Sequence, residues 1–148
     1  MNADVTLARD NKHDAAARAG IDDALIDRLV EGFYARIQAD EALGPIFAAR
    51  VANWAPHLAR MKDFWASVAI EGGRFRGNPM LKHVAIREIT SAHFERWLAL
   101  WQTTLVDLAP TPEAEAFLQL RAERIARSLM LGISIHRDGI LPAAQTKR

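Results

Sequence analysis

Tyrosine, histidine and tryptophan side chains that interrupt otherwise apolar helical stripes are where this sequence could do chemistry. Tyr34, the only tyrosine, falls among Leu25, Ile26, Leu29, Val30, Phe33 and Ile37, which recur at three- and four-residue steps. His57 falls in the same way among Trp54, Leu58, Met61, Phe64, Trp65 and Val68, and Trp97 among Phe94, Leu98, Trp101, Thr104, Leu105 and Leu108. A core aromatic whose polar tip finds a local partner accounts for any one of them. All three on separate stripes fit a shared polar pocket inside an apolar core, which suits a ligand with few polar atoms. A further imidazole, His83, closes the run Gly77-Asn78-Pro79-Met80-Leu81-Lys82-His83. The glycine and the Asn-Pro pair stop whatever precedes them, because a residue before proline is pushed out of the helical region. A neutral imidazole at the end of the short turn suits a transition-metal ion. Taken alone the run says little, since a lone histidine in a half-apolar turn is usually structural or solvated.

The elements that must position these groups are all helical. Asp22 and Asp23 suit the start of a first helix through Ile37. Gly44-Pro45 is expected to end the short segment that follows, with Ile46 and Phe47 just past the corner. Pro56 fits the first turn of the second helix, and Gly72-Gly73 ends it ahead of a loop carrying Arg74 and Arg76. A third helix starts near Ser91 and stops at Pro110. Thr111 and Pro112 suit the cap and first position of a fourth, with Leu118, Arg121, Ile125, Leu129, Ile133 and His136 on one side and Arg124 and Arg127 facing water. No stretch has period two and no repeat or linker is visible. The expectation is an all-α chain: an arm or short helix over 1–20, one domain over 21–138, and a frayed tail over 139–148.

Composition narrows the chemistry. The 148 residues suffice for one hydrophobic core, and 50% apolar with 25% charged residues is ordinary for a globular domain. A net charge of +1 argues against nucleic acid as the main partner. The absence of cysteine removes disulfides, thiolate metal sites and covalently attached haem, so any metal rests on histidine, carboxylate or methionine and any haem is noncovalent. No apolar run reaches the roughly 18–20 residues of a membrane span, and the first residues lack the apolar centre of a signal peptide. A cytoplasmic protein is the default. Neither a Ser-His-Asp nor an HExxH spacing occurs, and the glycines at 72, 73 and 77 do not follow a strand.

From about Asp22 to Ile135 the sequence resembles the truncated haemoglobins, specifically group III. The likeness rests on Phe33-Tyr34, on Leu43-Gly44-Pro45-Ile46-Phe47, on Trp54-x-x-His57 running to Phe64-Trp65, on Gly77-x-Pro79-x-x-x-His83, and on His93-Phe94-x-x-Trp97-Leu98-x-Leu100-Trp101. Phe75 departs from the family, where tyrosine is common, and removes a hydroxyl near the proximal loop. The resemblance implies a two-over-two helical sandwich enclosing haem b, iron protoporphyrin IX, with His83 as the proximal iron ligand. It places Tyr34, His57 and Trp97 at distal positions, where hydroxyl and indole N–H are both donors to dioxygen. By the same resemblance Phe47 packs on the porphyrin and Met61 and Trp65 continue the wall after His57. Arg60 and Lys82 are candidates for the haem propionates, or surface charges. Met80, one turn before His83, carries a thioether that can also ligate iron, but only one of the two reaches it. His57 could itself ligate ferric iron from the other side. His13 and His136 read as surface residues, and His93 as a cap or solvated. The implied partners are dioxygen, nitric oxide or other small diatomic ligands, and an unidentified electron donor. The implied activity is nitric oxide dioxygenation or a peroxidase-like reaction, with a carrier or sensor as the alternative. A haem-free helical module binding a lipid or a partner helix is a remoter reading.

Overall fold

The structure, a computed structural model, describes residues 12–72, 75, 77, 79–84 and 86–138, with backbone alone at 80, 81 and 84. The arm before residue 12, the tail over 139–148, and Arg74 and Arg76 lie outside the described residues. A short helix over 12–19 (α1) ends at Gly20, whose φ of +87° is one that glycine adopts without a Cβ penalty. The Thr111 hydroxyl donates to the Ala19 carbonyl, tying this corner to the start of the last helix.

Helix α2 (Asp23–Ala39) begins where Asp22 accepts the Leu25 N–H at 2.8 Å, and every residue of its expected stripe is buried. It ends at Asp40, whose buried carboxylate accepts the Ala42 and Leu43 N–H groups at 3.1 and 3.0 Å and the Arg96 guanidinium at 2.7 Å. The next element differs from expectation. Gly44 and Pro45 open a helix, α3 (Gly44–Ala48), rather than ending a segment. Proline is at home in a first turn, where its missing N–H costs nothing. Glycine is required beside it because a Cβ would lie 2.9 Å from the Gln38 carbonyl oxygen.

Helix α4 (Trp54–Ala69) is capped by Asn53. The short α5 (Pro79–Val84) follows, and α6 (Ser91–Leu108) stops where Ala109 turns left-handed at φ 49° before Pro110. Thr111 accepts the Ala114 N–H at 3.1 Å, so it caps α7 (Pro112–Asp138), with Pro112 at its first position. No strand occurs among the described residues, and no helix there is long and apolar enough to cross a membrane.

The pair α2 and α4 packs over the pair α6 and α7, with α2 resting on α6: a two-over-two helical sandwich. Its centre is aromatic. Trp65 and Trp101 stack with centroids 4.2 Å apart, and Phe33 meets Trp101 edge-on at 4.9 Å. The Trp101 indole N–H donates to the Leu118 carbonyl at 3.3 Å, so full burial leaves no orphaned donor there. A smaller apolar cluster of Ile89, Phe94, Ala126, Leu129 and Ile133 lies between α6, α7 and the turn before α6.

Candidate functional site

A cavity of about 500 Å³ opens between the helix pairs. Of the residues singled out from the sequence, Tyr34, Phe47, His57, Arg60, Met61, Trp65, Lys82, His83 and Trp97 all line it. The Met80 side chain lies outside the described residues, although its backbone sits in the same short helix as His83. His13 and His136 are exposed.

His83 stands in the last turn of α5, where its Nδ1 lies 2.6 Å from the Pro79 carbonyl oxygen. A carbonyl only accepts, so Nδ1 carries the proton and donates. In the neutral ring Nε2 then keeps its lone pair, which is the ligand form of imidazole. Carbonyl bonding of this kind also restricts ring rotation, so the nitrogen is presented in one direction.

The other side chains come from α2, α4 and α6. Tyr34 is buried, its ring edge-on to His57 at 5.1 Å, and burial raises its pKa, so the hydroxyl stays protonated and can donate. His57 has its pKa lowered by burial first, and then by the charges of Arg60 and Lys82, so its ring is neutral. Its Nε2 is buried with no hydrogen-bond partner among the described residues. Leaving such an atom unpaired costs about 1–3 kcal/mol, a penalty that a hydrogen-bonding guest in the cavity offsets. Trp97 is half-buried, edge-on to Phe33 at 5.3 Å, and its indole can only donate. Phe47 stacks on Trp54 at 6.3 Å beside these groups. Arg60 and Lys82 are exposed at the cavity's edge.

Several lining residues were not visible as site residues in the sequence. His93 caps α6, its Nδ1 accepting the Thr90 N–H at 3.0 Å, and also lines the cavity. Ile86 and Ile89 line it from the turn after His83, a stretch without any period to read. Ile125 and Leu129 were legible as an apolar stripe of α7, but periodicity does not separate a residue facing core from one facing a cavity. Phe75, which also lines the cavity, packs edge-on against Phe64 at 5.1 Å and beneath the Arg60 guanidinium.

This donor set fits a haem. One imidazole offers a ring nitrogen, an apolar slot bounded by Phe47, Met61 and Trp65 suits a flat porphyrin, and Arg60 and Lys82 bring positive charge that would suit its carboxylates. A tyrosine hydroxyl, an indole and an orphaned imidazole nitrogen remain for a small guest beside it.

Comparison with known proteins agrees. The sequence model of the family described as bacterial-like globin matches residues 18–126. A group 3 truncated haemoglobin from Campylobacter jejuni is 31% identical over 105 residues, 68% of this chain and 82% of that protein. The crystal structure of group III truncated haemoglobin from Campylobacter jejuni superposes with a TM-score of 0.70 at 30% identity, covering 74% of this chain and 89% of that one.

Proposed function

The chain belongs to the bacterial-like globin family as a group III truncated haemoglobin, a haem protein for small diatomic ligands, and from that premise we propose that His83 is its axial iron ligand and that it carries out redox chemistry on dioxygen and nitric oxide. The observation that carries this reading is the state of the two imidazoles: His83 with Nδ1 engaged by the Pro79 carbonyl, and His57 with a buried Nε2 that has no partner among the described residues, in the same cavity. A haem b bound there supplies an iron that takes up diatomic ligands and exchanges electrons with them.

The chain's own residues do the rest. Phe47, Met61 and Trp65 exclude water from the faces of the slot, while Arg60 and Lys82 neutralise carboxylates at its edge. Tyr34 and Trp97 hold protons on donors aimed at partial negative charge in the guest, each donor strengthening retention by about 1–3 kcal/mol. Neutral His57 can accept or deliver a proton at Nε2. Slow release of dioxygen suits a catalyst better than a carrier. The balanced reaction is nitric oxide plus dioxygen plus one electron giving nitrate, with the electron from a separate donor. A peroxidase-like reaction, with His57 moving the proton, draws on the same groups.

Absorption spectra of the ferric and dithionite-reduced protein, beside those of His83→Ala, test the first half. A strong Soret band in the wild type that is lost or grossly altered in the variant is the expected result, and a protein that remains colourless after reconstitution with hemin sinks the reading. Dioxygen dissociation tests the second half. Tyr34→Phe and Trp97→Phe should each speed it roughly tenfold or more, as loss of a hydrogen bond of that strength requires. Release that is already fast and unmoved by either change, with no nitrate formed from nitric oxide and a reductant, leaves a carrier.

A further inference from the structure

The turn between α5 and α6 is held by a residue about fifty positions away. Arg137, in the last turn of α7, donates from one guanidinium to the carbonyls of Ile89 at 2.6 Å, Ile86 at 2.7 Å and Arg87 at 3.0 Å. This turn belongs to no helix, and apart from the Ile89 N–H, which reaches the Ile86 carbonyl at 3.4 Å, Arg137 supplies the hydrogen bonds to these carbonyls. A planar guanidinium with five donors in a fixed fork can serve three carbonyls at once, whereas an ammonium is a single point with three rotating donors. Two features connect the turn to the site. The Ile86 N–H donates to the His83 carbonyl at 3.0 Å, and the side chains of Ile86 and Ile89 line the cavity. Arg137 itself is exposed and lines no part of the cavity.

We propose that Arg137 is a positioning residue for the haem site, clamping the 86–89 turn and through it fixing the direction in which His83 presents its nitrogen. The proposal rests on His83 being the axial ligand. It makes the strength of the iron–imidazole bond, and the retention of haem, depend on the far end of α7. The apolar cluster beneath the turn is small, and the other polar tie to the turn is the exposed ion pair of Glu88 with Arg50, so the guanidinium supplies most of the bonds to its carbonyls.

The test uses the haem-loaded full chain with Arg137→Gln, Arg137→Lys and, as a control on the same helix, the exposed Arg127→Gln. Two quantities are read: the iron–histidine stretching band of the ferrous protein by resonance Raman, and the rate of haem transfer to excess apomyoglobin. Arg137→Gln should shift or broaden the band and speed transfer about tenfold, the scale set by losing hydrogen bonds to a charged donor. Arg137→Lys should fall between it and the wild type, and Arg127→Gln should match the wild type. Because Arg137→Lys keeps the charge and helix propensity of the end of α7, it decides the matter if the glutamine variant fails to fold. A band that stays in place in the Arg137 variants overturns the proposal even if transfer accelerates, since that pattern is a general loosening. A wild type with no iron–histidine band overturns the ligand assignment and the proposal together, whereas an unmoved band leaves the ligand assignment standing.

Discussion

The wall of the cavity that carries Tyr34 and His57 is continuous with the main core, whereas the wall that carries His83 stands on a small cluster and a turn whose carbonyls are held by Arg137. On the first side, Phe33 and Tyr34 belong to the same buried network as Trp65 and Trp101, so the donor groups inherit their positions from dense aromatic packing. On the second side, Ile89, Phe94, Ala126, Leu129 and Ile133 are the buried residues, and much of the definition comes from backbone carbonyls that Pro79, Ile86 and Ile89 offer to His83 and Arg137. The contrast is between a surface fixed by the fold itself and one fixed by a few directional bonds. The side chains on the first wall are therefore set by the core, while on the second wall particular polar contacts orient the His83 ring.

The most forceful way to break this contrast is to truncate each side. Trp101→Ala should cost about 3–5 kcal/mol, and by nearly the same amount with and without haem, because the stack with Trp65 belongs to the fold. Leu129→Ala, in the smaller cluster and on the cavity wall, should cost about 2–3 kcal/mol and should weigh more heavily on the haem-bound protein. Urea unfolding of both forms measures these losses. Equal losses with and without haem for Leu129→Ala would erase the distinction between the walls.

Asp40 sharpens the comparison at the corner where α2 turns into α3. Burial alone would raise its pKa, but the Leu43 N–H, the Arg96 guanidinium and the Ala42 N–H outweigh it and hold the carboxyl below its usual range. Asp40→Asn should cost about 1–3 kcal/mol at neutral pH. For a carboxyl with a lowered folded-state pKa, the contribution is complete above the unfolded value and disappears as pH falls through the folded one. The gap between wild type and variant should therefore close on acidification, and a gap independent of pH would assign the loss to shape rather than charge.

His57 should act in the same direction on acidification, through a ring kept neutral by burial rather than a carboxylate held by its partners. Its folded-state pKa is lowered, so the unfolded chain binds a proton first as pH drops below the ordinary imidazole value, and stability falls there. Haem-free wild type should lose stability between roughly pH 7 and 5 more steeply than His57→Gln, a difference that stability curves against pH will show. The smallest effect is expected at the ion pair of Arg50 and Glu88, which joins the end of α3 to the 86–89 turn at 2.5 Å across the cavity's rim. Both side chains are well exposed, so a double-mutant cycle on haem-free stability should give about 0.2–1 kcal/mol, shrinking with added salt. A larger coupling would mean that the wall carrying His83 leans on the other for its shape.

Much of the fold was legible in particular residues. The stripe from Leu25 to Ile37 is buried residue for residue, Asp22 caps α2, and Thr111 with Pro112 starts α7. Gly44-Pro45 misled because the same pair can stop one element or open the next, and only the approach of Gly44 to the Gln38 carbonyl decides which. His93 was legible as a cap but not as part of the cavity wall, since capping is a contact with Thr90, three residues away, and cavity lining is not local.

The sequence by itself determined that the chain is helical, where its long helices run and which side chains lie on their apolar stripes, because those follow from local periodicity and capping. Its motifs also pointed to the family, which the match over residues 18–126 bears out. Only the tertiary structure decided that Tyr34, His57, His83 and Trp97 share one cavity, that the His83 Nδ1 meets the Pro79 carbonyl, and that Arg137 holds the turn beside it. The reason is physical: a helical stripe is set by neighbours a few residues apart, whereas these meetings join Arg137 to Ile86 and Tyr34 to His57 across chain distances that only the packing of one helix pair on the other can close.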